Sequence, residues 1–114
     1  MPRSGADPVA GGPVPTSAVI WDAEFLTAPG APQRFWCGPH DSDPVLVQIG
    51  AVHLHLSGDF DLRETFECVV IPRDRQGVAY EISAFLTQLT GITSERVARE
   101  GLELPEALAR FDAF

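Results

Sequence analysis

The first sustained apolar run, Ser17-Ala18-Val19-Ile20-Trp21, is short and rich in β-branched and aromatic residues. It predicts a strand over about residues 17–26, continuing through Asp22-Ala23-Glu24-Phe25. Residues 28–44 hold four prolines and two glycines and predict a long loop. Loops of that length in a small domain are usually functional or mobile. The next stretch, Val45-Leu46-Val47-Gln48-Ile49-Gly50-Ala51-Val52, is nearly continuous apolar, and His53 and His55 then alternate with Leu54 and Leu56. This pattern predicts a strand over 45–56, buried on both faces at its start and half-exposed at its end, with both histidines on the exposed part. Turn residues at Ser57-Gly58-Asp59 and a third apolar run ending at Pro72 predict a strand over 61–72 that forms an antiparallel hairpin with the second.

Helical signals follow. Ser83 is a candidate N-cap for Ala84 to Leu89, with Gly91 as the stop. Thr93 or Ser94 opens a second short helix through Arg99, closed by Gly101. Pro105 suits the first turn of a last helix, Glu106 to Phe114, in which Leu104, Leu108 and Phe111 recur at helical spacing. The order β-β-β-α-α-α, without an internal repeat, defines one α/β domain over 17–114. Residues 1–16, rich in Pro, Gly and Ala, read as a flexible leader without the apolar segment of a signal peptide.

Composition adds a constraint on partners. Sixteen acidic residues against eight arginines, with no lysine, give a net charge of −8. Such a chain repels nucleic acid at long range unless carboxylates hold divalent cations, which reverses the local charge. Cys37 and Cys68 have no spacing that suggests a disulfide framework or a metal knuckle, and read as reduced thiols of a cytoplasmic protein. No apolar run is long enough for a membrane span.

Asp22-Ala23-Glu24 is the most chemical feature. Side chains two apart on a strand share a face, so two carboxylates converge at a strand end beside a loop. Hard oxygen donors of this kind suit Mg²⁺ or Mn²⁺. Taken alone, such a pair is also what a solvated strand end looks like. The flanking Trp21 and Phe25 argue the other way, because acids within an apolar strand call for a cation.

An apolar strand ending in Asp-x-Glu is followed in order by Val47-Gln48-Ile49-Gly50-Ala51-Val52, Phe66 to Pro72, Leu89-Thr90-Gly91-Ile92-Thr93, then Glu95, Val97 and Gly101, and finally Pro105-Glu106-Ala107-Leu108 with Phe111. This succession resembles the N-terminal half of the DEDD superfamily of 3′→5′ exonucleases, of the ribonuclease T and polymerase-proofreading-subunit type. The resemblance implies the N-terminal part of a ribonuclease H-like fold, with three antiparallel strands and then helices. It implies a hydrolase that trims the 3′ ends of single-stranded RNA or DNA to 5′-mononucleotides. Asp22 and Glu24 would be catalytic metal ligands in a two-ion Mg²⁺ or Mn²⁺ site. Phe25, Thr27, Leu89 and Thr90 would contact substrate, although the family's threonine lies two residues after the glutamate and Thr27 lies three after.

The superfamily's two other acids and its His or Tyr base are expected beyond residue 114. Asp112 sits inside the last helix pattern and does not fit the missing acid. His53 and His55 are not expected to act as the base. His40 and Trp36 stand in the proline-rich loop, where Trp36 would either stack on a base or anchor the loop. The chain by itself is accordingly expected to be inactive. The family's sheet order would leave the first strand as an edge, to be covered in a homodimer or by another chain segment. From that edge comes an alternative reading: a non-catalytic half-domain that binds a partner or self-associates.

Overall fold

A computed structural model describes residues 13–114. Most of the expected leader lies outside the described residues. The fold is mixed α/β: strands β1 (Ser17–Phe25), β2 (Leu46–His55) and β3 (Leu62–Val69), then helices α1 (Ala84–Thr90), α2 (Ser94–Glu100) and α3 (Leu104–Ala113). The strands form one antiparallel sheet in the order β1-β2-β3, which leaves β1 as an edge among the described residues.

The sheet is covered on both faces, which is why its centre reads as continuous apolar sequence. Leu26, Val47 and Val69 pack with Leu86 of α1 and Ile92, joined by Val97 of α2. Ile49, Cys68 and Val70 pack with Ala107, joined by Phe111 of α3. Val69 and Val70 thus serve opposite layers, as strand alternation requires.

One irregularity sets the phase of β2. Glu24 opposes Gln48 but Phe25 opposes Leu46, so Val47 is an extra residue on β2. A bulge of this kind turns two successive side chains toward one side. Leu46 accordingly packs with the α3 layer and Val47 with the α1–α2 layer, while Gln48 stays on the face of Glu24.

The helix ends follow their capping residues. The Ser83 hydroxyl accepts from the Leu86 N–H and the Thr93 hydroxyl from the Arg96 N–H, each satisfying one free donor of a first turn. Gly91 closes α1 at φ +81°. Gly101 ends α2 for a different reason: its φ is −63°, but a Cβ there would run into the Val97 carbonyl oxygen and the Ile71 side chain.

Three expectations shift. The third strand ends at Val69, not Pro72, because Val70 bridges to Leu102 and the Ile71 N–H bonds to the Leu102 carbonyl. The last helix begins at Leu104, with Pro105 in its first turn, and ends at Ala113. His53 and His55 are half-buried, not exposed. The His53 ring stacks on Phe114 at 4.2 Å and its Nδ1 lies 3.2 Å from Glu64, while the His55 Nδ1 lies 2.6 Å from an Arg63 nitrogen.

Candidate metal centre on the first strand

The ladder places Asp22 opposite Gly50 and Glu24 opposite Gln48. Gly50 in turn opposes Glu67 on β3. Paired residues point to the same side of a sheet, so Asp22, Glu24, Gln48, Gly50 and Glu67 share one face. A Cβ built on Gly50 would meet nothing within 4 Å, so the space beside Asp22 is open. Asp22 is exposed and Glu24 half-buried.

Glu67 is already engaged. Its Oε2 accepts from the Gln48 amide at 2.6 Å and its Oε1 from the Arg96 guanidinium at 2.9 Å. Hydrogen bonds to Glu100 and then Glu67 hold the Arg96 pKa above its ordinary value. Neither Glu67 nor Arg96 was given a role from sequence. The parity of the β3 positions carries the signal for Glu67, but the partner from α2 has none in one dimension.

Asp22 also acts on the sheet edge. The Leu56 N–H donates to the Thr16 carbonyl and the Leu26 N–H to the Val45 carbonyl, so even-numbered residues of β1 aim their backbone at β2. Odd-numbered residues therefore aim theirs at the open edge. The Asp22 Oδ1 takes one of those outward donors, the Ala23 N–H, at 2.8 Å.

The expected substrate residues do not gather around the acids as one group. Phe25 is exposed but alternates to the opposite face. The Thr27 hydroxyl is sealed from solvent and has no hydrogen-bond partner. Leu89 is exposed on α1, whose Leu86 packs on the acid side of the sheet. The Thr90 hydroxyl is committed within the helix end, donating to the Leu86 carbonyl and accepting from the Ile92 N–H. Trp36 anchors its loop, with its indole N–H bonded to the Leu26 carbonyl at 2.9 Å. His40 is exposed in that loop.

As donors, the two carboxylates fit a hard divalent ion, which takes oxygen ligands. They are only part of a coordination shell. Among the described residues no group of three or more His, Cys, Asp or Glu is arranged to hold a metal ion. Cys37 and Cys68 are both free, and burial pushes the Cys68 thiol up. No helix among the described residues is long and apolar enough to cross a membrane.

No family model, curated protein or solved structure matches the chain at significance.

Proposed function

We propose that the chain carries the first metal-binding motif of a 3′→5′ exonuclease of the DEDD superfamily, acting on single-stranded RNA or DNA within a ribonuclease H-like fold. The observation that carries this reading is the shared face of Asp22 and Glu24, with the open space over Gly50 beside them. Glycine within a strand often marks a bulge, a tight bend or a place where a ligand or another backbone approaches closely. Asp22 and Glu24 would hold Mg²⁺ or Mn²⁺. Bound there, the ion would neutralise phosphodiester charge and acidify an attacking water. The bulge at Val47, between the Glu24–Gln48 and Phe25–Leu46 pairs, is also the kind of device that re-aims side chains beside active sites.

The test is Asp22→Ala in the complete enzyme, assayed in single turnover with a labelled single-stranded oligonucleotide and Mn²⁺. Loss of hydrolysis with little change in substrate binding is expected. Near-normal hydrolysis would remove the acids from the mechanism.

A second reading has its own observation. Val19, Ile20 and Trp21 are exposed on the open edge of β1, and such an edge pairs readily with another strand. A non-catalytic domain that binds a partner or a second copy there would show metal-independent association, unchanged by Asp22→Ala, and no hydrolysis.

A further inference from the structure

The loop after β1 is held rigidly and presents a strained aromatic residue to solvent. A single 3-10 turn, Pro32–Arg34, is closed by two bonds, from the Phe35 N–H to the Pro32 carbonyl at 3.1 Å and from the Trp36 N–H to the Ala31 carbonyl at 2.9 Å. This closure uses a left-handed residue, for which glycine is favoured. Here Phe35 at φ +54° and Trp36 at φ +55° both adopt that conformation, which crowds the Cβ of an L residue.

Trp36 gains a partly buried hydrogen bond to the Leu26 carbonyl from its geometry. Phe35 gains nothing comparable and is 81% exposed. The loop that carries it is clamped. Arg34 donates to both Asp41 carboxylate oxygens, at 3.0 and 2.7 Å, and to the Pro29 carbonyl. The Gly38 N–H donates to Asp41 as well. Because Trp36 is tied to Leu26, two residues past Glu24, the exposed ring stands at the acid end of β1. Phe60 is likewise exposed with positive φ, but it lies in the β2–β3 turn at the opposite end of the sheet.

Charge explains what such a ring would supply. Every arginine among the described residues is paired with an Asp or Glu, so none of these offers phosphate an unpaired cation. Besides any divalent ion held by Asp22 and Glu24, affinity for a single strand would then draw on uncharged contacts, and stacking on an aromatic ring works with any base. We infer that Phe35 is a stacking platform for a nucleobase of single-stranded nucleic acid whose backbone approaches Asp22 and Glu24. This inference rests on the nuclease reading of those acids.

The strain makes a decisive test available. Phe35→Gly relieves the backbone while removing the ring, so the variant should melt at a higher temperature than the parent and yet bind more weakly. Binding is read on the full chain by fluorescence anisotropy of a short labelled single-stranded oligonucleotide, with Ca²⁺ present. Phe35→Gly and Phe35→Ala should both lose about tenfold in affinity, and Phe35→Trp should retain it. Equal affinity of parent, glycine and alanine variants overturns the platform while leaving the metal pair untouched. Absence of binding by the parent overturns both readings. Hydrolysis by the complete enzyme that survives Asp22→Ala sinks the metal-ligand reading of the acids by itself.

Discussion

Asp22 faces Gly50 across the β1–β2 ladder, and nothing fills the space that a side chain on Gly50 would take. Glycine within a strand costs about 0.5–1 kcal/mol relative to alanine. A strand that keeps it loses stability in exchange for open space beside a carboxylate. Gly50→Val should therefore leave the melting temperature unchanged or raised. The same substitution should weaken Mn²⁺ binding several-fold by crowding Asp22. Calorimetric titration with Mn²⁺ beside a thermal melt checks both. Unaltered Mn²⁺ affinity would mean the space has no part in a metal site.

The clamp beneath Phe35 makes a pH prediction. The side-chain hydrogen bond from Arg34 holds the Asp41 carboxyl below its ordinary pKa, and the Asp41 side chain is only 3% exposed. A carboxyl with a depressed folded pKa contributes stability above its unfolded pKa, about 3.9. That contribution is lost as pH falls through the lower folded value. In a Trp21→Phe background, Trp36 fluorescence should stay constant down to about pH 4 and change below it. Asp41→Asn should already show the changed signal at neutral pH. A signal identical in both proteins at every pH would separate the clamp from the loop's structure.

How much of this was legible in sequence depends on how local each cause is. Ser83, Thr93 and Gly91 act within one helical turn, and each is found at the terminus it marks. The parity that sets Asp22 and Glu24 on one face is local too, because it needs only strand alternation. Val47 is different: nothing in Val45-Leu46-Val47 distinguishes a bulge from regular pairing, since the register is set by the opposite strand. The end of β3 is hidden from the sequence for a similar reason. Val70 leaves the strand for Leu102, a partner 32 residues away by number. His53 looked exposed because its cover, Phe114, arrives from the far end of the chain. The tie between Glu67 and Arg96 is likewise tertiary.

Thr27 gives a prediction about stability. Its hydroxyl is buried without a partner, and an unsatisfied buried hydroxyl costs about 1–3 kcal/mol. Valine has nearly the same shape and no donor to leave unpaired. Thr27→Val should therefore stabilise the fold by about 1 kcal/mol in urea unfolding, with the slope unchanged. Thr27→Ser keeps the hydroxyl and loses the methyl, and should destabilise. Destabilisation by valine would reveal a partner for the hydroxyl.

Asp112 separates the acid face from the other side of the sheet. It lines a groove with Val19, Trp21, Leu108, Phe111 and Phe114, between β1 and α3. The Trp21 and Phe111 rings meet there at 5.7 Å. Trp21 alternates with Asp22 along the strand, so this groove lies on the face opposite the two carboxylates. Asp112 accordingly does not share a face with Asp22 and Glu24, and among the described residues no third carboxylate is arranged with them around one ion. Asp112→Asn should leave Mn²⁺ affinity unchanged, whereas Asp22→Asn and Glu24→Gln should each lower it at least several-fold. Side-chain charge changes by the same amount in all three variants, so a general electrostatic effect on a chain of net charge −8 would weaken them alike. Paramagnetic titration of Mn²⁺ distinguishes the outcomes. Equal losses in the three variants would make the binding diffuse, and a selective loss in the first-strand pair alone would make it a site.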